Sequence, residues 1–160
     1  MKPLRAIALL VLFFPLTAKA QIGVYAGFSG AHLNSSTVFG PLVGAYAQKG
    51  ALLKLGVDVR GSFLNRNGQQ LNTGAIGPRL ALHPVGLPIK PYVEALVGIA
   101  SSNTGGSSSA THLNYQVLGG IDATLLPRLD WRVIEFDYSA LAGSSLNATI
   151  LTTGIVLRLP

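Results

Sequence analysis

The stretch from Ala51 to Phe63 alternates apolar and polar side chains over a length that restricts how the whole chain can fold. Successive side chains of a strand point to opposite faces. One face of this strand then carries Leu53, Leu55, Val57, Val59 and Phe63, and the other carries Lys54, Asp58, Arg60 and Ser62. A strand of about a dozen residues is longer than an ordinary strand of roughly 5–6 residues. It suits a tilted strand that crosses a membrane, which needs roughly 9–11 residues. Repeated around a closed sheet, the pattern would turn the apolar face to lipid and the charges inward.

The composition favours a membrane protein that crosses without helices. Of the 160 residues, 49% are hydrophobic and only 11% are charged, against roughly 25% charged residues in soluble domains. After residue 20 there is no apolar run of about 18 residues, so a transmembrane helix is excluded. A membrane β-barrel has an apolar composition without such a run, because every second residue of its strands faces lipid.

The N-terminus has the three parts of a secretory signal peptide. Met1 to Arg5 is basic, Ala6 to Leu16 is apolar, and Ala18 to Ala20 forms an A-x-A cleavage site. We therefore predict a signal peptide over 1–20 and one barrel domain over 21–160. Its removal leaves nine of the twelve basic residues against six acidic ones, an excess too small to indicate nucleic-acid binding. Because the exported chain has no cysteine, it has no disulfides and no thiol nucleophile.

The alternation recurs along the chain and predicts an all-β fold, an eight-stranded antiparallel up-and-down transmembrane β-barrel. The predicted strands cover residues 21–30, 40–48, 51–63, 71–82, 89–100, 113–125, 130–141 and 148–159. Connections after odd-numbered strands are expected to be longer and polar, and those after even-numbered strands short, as in bacterial outer-membrane barrels. Both termini would then lie on the periplasmic side. The outward aromatic residues expected in the interfacial girdles are Phe63, Tyr115, Trp131 and Tyr138.

The seventh predicted strand breaks the alternation once. Arg132 is out of phase with Glu135 and Asp137, although all three are charged. A β-bulge near Val133–Ile134 would send these three side chains inward and turn Trp131, Phe136 and Tyr138 outward. With the bulge, five basic residues face five acidic ones inside the barrel.

This balance of charge predicts a plugged interior. An eight-stranded barrel is only wide enough to be filled by its own side chains. Buried charges must be paired, since losing one partner costs roughly 3–5 kcal/mol. We therefore predict a structural ion-pair network, with no catalytic role, formed by Lys54, Asp58, Arg60, Arg79, Glu94, Asp122, Arg132, Glu135, Asp137 and Arg158.

The signal peptide, the eight alternating strands, and the segments Trp131–Tyr138 and Thr153–Arg158 resemble the small OmpA/OmpX-like outer-membrane β-barrel family. The resemblance implies export through a Sec-type signal peptide to the outer membrane of a Gram-negative-type bacterium. It implies outer-membrane lipid, lipopolysaccharide and the barrel-assembly machinery as partners, with no nucleic acid, and a monomer. It supplies no catalytic residues, cofactor or metal.

The expected function is a structural or surface-interaction role through four external loops. One alternative is a lipid-modifying enzyme that uses His32 or His112 with a nearby loop serine, although the predicted carboxylates are not placed to orient such a histidine. A small-solute channel is another. His83 precedes a proline in a turn and is expected at the interface. At the level of the fold, a soluble lipocalin-like barrel would have the inverse arrangement, with apolar residues inside and charges outside.

Overall fold

Eight long strands form one closed sheet in the computed structural model, which describes residues 20–33, 36–104, 110–143 and 147–159. The strands are β1 Gln21–Leu33, β2 Ser36–Gly50, β3 Leu53–Arg66, β4 Gln69–Leu82, β5 Ile89–Thr104, β6 Ala110–Leu126, β7 Leu129–Leu141 and β8 Asn147–Leu159. Each strand pairs antiparallel with the next, and β8 pairs with β1, which confirms the predicted up-and-down barrel. The predicted signal peptide lies outside the described residues, except for Ala20. In those described ranges no helix is long and apolar enough to cross a membrane.

The two ends of the barrel differ less in their connections than we predicted. The start of β1 and the end of β8 lie at the same end of the barrel as the connections 51–52, 83–88 and 127–128, which we call the turn end. The remaining connections, after odd-numbered strands, define the loop end. The expected loop over 31–39 is wrong, because β1 and β2 stay paired as far as Leu33 and Ser36. Residues with polar side chains can still pair in a β-sheet outside the hydrocarbon layer, so the polar segment of the sequence did not indicate where the strands end.

The connection between the third and fourth predicted strands, expected to be longer and polar, is likewise a tight hairpin. Arg66 and Gln69 still pair, and only Asn67 and Gly68 connect β3 to β4. Their φ angles are 50° and 80°. Two successive positive φ values are typical of a type I′ turn, for which Asn-Gly is the favoured sequence. By contrast the connection 83–88, after an even-numbered strand, has six residues.

The sheet is apolar on its outer face and polar within. Leu55, Val57 and Val59 are 43%, 51% and 50% exposed, whereas Asp58 and Arg60 on the same strand are 0% and 4% exposed. The other strands follow the same rule, so that aliphatic and aromatic side chains cover the outer wall. A soluble barrel would bury this face, and the lipocalin-like alternative is therefore wrong.

The predicted bulge in β7 is confirmed. Toward β6, Ile121 pairs with Ile134 but the next residue, Asp122, pairs with Arg132, so one residue of β7 is skipped. Toward β8, the register shifts between Arg132 and Glu135. Val133 and Ile134 together face the single residue Thr153 of β8. Arg132, Glu135 and Asp137 are buried as a result, while Trp131, Phe136 and Tyr138 point outward. One extra residue thus keeps every charge of β7 off the lipid face.

The expected girdle aromatics all point outward and lie near strand ends. Trp131 is two residues from the start of β7 at the turn end, whereas Phe63 and Tyr138 are each three residues from the loop end of their strands. Tyr115 is also on the loop-end half, on β6. Their position at the membrane interfaces stays a prediction.

Deletion of Val133 should leave a folded barrel. Removing one of the two bulge residues makes β7 regular while Arg132 and Glu135 both stay inside, because they become two positions apart. Deletion of Phe136 is the control: it places Glu135 next to Asp137 and forces one carboxylate toward lipid. We expect the heat-dependent gel shift of a folded barrel for the first variant and its loss for the second. A failure of the Val133 deletion to fold would contradict this account of the bulge.

Candidate functional site

Arg60 of β3 lies at the centre of a buried charge network. Its Nη1 lies 2.7 Å from Glu135 Oε1, its Nη2 lies 2.6 Å from Glu94 Oε2, and its Nε lies 3.2 Å from Asp58 Oδ1. All four side chains are at most 1% exposed. Arg60 therefore joins β3 to β5 on one side and reaches across the lumen to β7 on the other.

Two further arginines complete a ring of alternating charges. Arg79 contacts Glu94 and lies 3.2 Å from Asp122, and Arg132 lies 3.1 Å from Asp122 and 3.0 Å from Glu135. The ring thus runs Arg60–Glu94–Arg79–Asp122–Arg132–Glu135 and returns to Arg60. Each member contacts two neighbours of opposite sign in the ring, and Arg60 also contacts Asp58. Such mutual pairing is what charges in a dry interior require.

Three tyrosines line the ring. The Tyr25 hydroxyl donates to Asp58 Oδ1 at 2.7 Å, and the Tyr92 hydroxyl donates to Glu135 Oε2 at 2.6 Å. The Arg132 guanidinium carbon lies 4.1 Å from the centre of the Tyr25 ring, and that of Arg79 lies 4.3 Å from the Tyr46 ring. The charges are therefore packed between aromatic faces as well as paired.

Inward-facing glycines make room for these rings. A Cβ on Gly23 would collide with Tyr46, one on Gly44 would collide with Tyr25, and one on Gly120 would collide with Tyr92. The alternation predicted which residues face inward, but it carried no sign of this pairing of tyrosine with glycine.

A second group of charges lies nearer the turn end and was partly missed. Lys90 Nζ lies 2.8 Å from both carboxylate oxygens of Asp130, and Arg158 Nε lies 3.0 Å from Asp130 Oδ2. We predicted Arg158 but neither Lys90 nor Asp130 as network members. Lys90 is four residues from the inward-facing Glu94, and Asp130 is two residues from the inward-facing Arg132. Because alternate residues of a strand share a face, this spacing could have identified both as network members. All six acidic residues of the chain lie inside the barrel.

Two predicted members take no part in an ion pair with any other residue that the structure describes. Lys54 donates to Gln21 Oε1 at 2.7 Å instead of to a carboxylate. Asp137 is 3% exposed, and its Oδ1 has no hydrogen-bond partner. It lies on the loop-end side of the ring, where the inward residues become apolar.

An apolar layer closes the interior above the ring. Its members come from seven strands near the loop end and are Ala31, Val38, Leu64, Leu71, Ala100, Leu141, Ala148 and Ile150, each at most 4% exposed. Between this layer and the ring, hydroxyls pair across strands, as in Ser29–Thr152 and Ser62–Thr73, each at 2.7 Å. Charge, hydroxyl and hydrocarbon thus succeed one another along the axis and fill the lumen.

His32 and His112 lie apart from the charge network. His32 is exposed on the outer wall, where its Nδ1 lies 3.2 Å from Thr37 Oγ1. His112 lies at the loop-end rim, two residues before the inward-facing Asn114, so it is on the inward face of β6 and is half-buried. Since every carboxylate is inside, none is placed to orient His32. Within the described residues no group of three His, Asp or Glu side chains could hold a metal ion.

Replacement of Glu135 should destabilise the barrel far more than replacement of Asp137. Glu135→Gln removes the charge that both Arg60 and Arg132 contact and should cost roughly 3–5 kcal/mol of unfolding free energy. Asp137→Asn, two residues along the same strand, breaks no ion pair and should cost much less. Urea unfolding in lipid vesicles measures both, and equal losses would contradict a stabilising ring.

His83 should resist protonation. It lies in the connection 83–88, where burial and then the positive charges of Lys54, Lys90 and Arg158 lower its pKa from 6.5 to about 4, against the opposing effect of Asp130. As the pH falls from 6.5 toward 4, the unfolded chain gains a proton that the folded chain does not, so this residue lowers stability over that range. A titration of the ring signals by NMR should give a midpoint near 4. A midpoint at the ordinary 6.5 would contradict the burial.

No protein-family model and no curated protein sequence matches the chain. Among solved structures the barrel is similar to Neisserial surface protein A, with 20% identity and a TM-score of 0.61 over 88% of this chain and 97% of that one. It is similar to Ail of Yersinia pestis, with 11% identity and a TM-score of 0.61 over 88% of this chain and 99% of Ail. It is also similar to the N-terminal β-barrel domain of Pseudomonas aeruginosa OprF, with 12% identity and a TM-score of 0.62 over 88% of this chain and 100% of that domain. With its apolar outer wall, the chain therefore has the fold of these small outer-membrane β-barrels.

Proposed function

We propose that this protein is a closed, non-conducting barrel with a structural and surface-interaction role. The observation that carries the proposal is the filled lumen: a ring of paired charges lies below an apolar layer formed by seven strands. A polar solute would have to displace both. The network thus acts as a stabilising plug, and interactions fall to the outer wall and the loop end.

The loop end supports the surface-interaction part of the proposal. The strands have 13–17 residues, whereas a tilted crossing needs roughly 9–11. The surplus extends the sheet beyond the hydrocarbon layer as a rigid rim. Because two of the four connections at this end have only two residues each, the interaction surface we propose is this rim together with the connections 105–109 and 142–146. This is a smaller area than four long loops would offer.

The same placement of charge favours a non-enzymatic role. A serine-type hydrolase needs a carboxylate or an equivalent group to orient its histidine. The six carboxylates all face the interior, whereas His32 is on the outer wall. We therefore propose that the protein does not hydrolyse lipid. An assay with purified lipid A on the wild type, His32→Ala and His112→Ala tests it, and hydrolysis that disappears in either variant would overturn this part.

The wild-type barrel should give no conductance steps above background in planar bilayers, because side chains fill its lumen. A general porin inserted under the same conditions is the positive control. Discrete steps from pure, folded protein would contradict the closed interior and favour a small-solute channel.

The surface role is tested on cells that display the protein. In the variant, residues 105–109 and 142–146 are each replaced by Asn-Gly, which keeps the strands but removes the two longer connections of the loop end. We expect adhesion and cell–cell aggregation to fall to the level of non-expressing cells while the gel shift of a folded barrel persists. Unchanged adhesion by the variant would overturn the proposed interaction surface.

A further inference from the structure

A groove of about 510 Å³ crosses the outer wall where β2, β1, β8 and β7 lie side by side. Its apolar lining comes from Phe28, Phe39, Ile134 and Leu151, and its polar lining includes His32 and the threonines Thr37, Thr149 and Thr153. This volume falls within the roughly 300–1,000 Å³ of known ligand clefts. Its walls belong to a rigid sheet.

Local backbone features create the groove. Gly30 forms part of the lining without a side chain. On β7, the bulge residues Val133 and Ile134 oppose only Thr153, whose hydroxyl donates to the Arg132 carbonyl at 3.0 Å. The wall is therefore indented at this place between the bulge and the aromatic pair Phe28–Phe39, whose rings stack with centroids 6.4 Å apart.

The loop end of the groove carries positive charge. The Arg66 guanidinium carbon lies 5.6 Å from the centre of the Phe39 ring, which lines the groove. Arg66 is exposed, and every carboxylate of the chain is inside the barrel, so no acidic side chain neutralises it. A guanidinium binds phosphate through several parallel hydrogen bonds.

We propose that this groove binds one acyl chain of a phosphorylated membrane lipid, with the lipid phosphate on Arg66. The groove opens onto the hydrocarbon layer, so a lipid chain is the occupant its surroundings supply. The charge at its loop end lies where a chain seated in the groove would present its headgroup, and basic side chains beside apolar surface are how membrane proteins select anionic lipids. This goes beyond the proposed surface role and does not depend on it.

The test uses the only tryptophan of the chain as a reporter. The Trp131 indole donates to Thr153 Oγ1, a lining residue, at 3.2 Å. The barrel is placed in nanodiscs of phosphatidylcholine that contain a small fraction of a brominated lipid, either phosphatidic acid or phosphatidylcholine, since bromine quenches a nearby indole. We expect brominated phosphatidic acid to quench Trp131 several-fold more than the same fraction of brominated phosphatidylcholine. Equal quenching by the two lipids would overturn the proposal.

Matched variants separate the groove from the rest of the wall. Arg66→Gln should abolish the preference for phosphatidic acid, and Thr149→Phe should do so by filling the groove. The controls are Arg128→Gln, an exposed arginine at the turn end, and Ile99→Ala on β5, opposite β1 in the barrel; both should keep the preference. Fully brominated phosphatidylcholine normalises the quenching of each folded variant. A preference that survives Arg66→Gln or Thr149→Phe, or that free inorganic phosphate removes, would overturn a lipid site at this place.

Discussion

The ring of alternating charges across the lumen is the interaction on which the barrel depends. Burying Arg60, Arg79 or Arg132 without a partner would cost much free energy, and each is compensated by at least two carboxylates. This compensation permits the inverted distribution of residues, in which the hydrocarbon side chains are outside. It also occupies the lumen that we propose to be closed to solutes, so the proposed closure and the stability of the barrel would come from the same contacts.

Much of this architecture could be predicted from the sequence because lipid imposes a strict period of two on each strand. The same constraint revealed the bulge, since Arg132 and Glu135 can both face inward only if one residue is added between them. The ends of the strands were harder to predict. Near Leu33 and Arg66 the paired strands contain mostly polar residues, and there a strand and a polar loop have similar composition.

The candidate site was predictable as a set of residues but not as an arrangement. The alternation identifies which side chains face the axis. It does not show that six of them form a closed cycle, or that Asp137 pairs with no cation in the part of the chain that the structure describes. Distances across the lumen depend on the stagger of all eight strands, which no single strand encodes. The groove beside the bulge has the same origin, because its lining comes from four strands that include the first and the last.

The cycle also has a consequence for biogenesis. Its members come from the five consecutive strands β3 to β7, and β7 supplies both Arg132 and Glu135. A nascent sheet that ends at β6 would hold Arg60 without Glu135 and Asp122 without Arg132. In such an intermediate the unpaired charges on the inner face must stay hydrated. We therefore expect water to leave the interior and the sheet to close in a single late event.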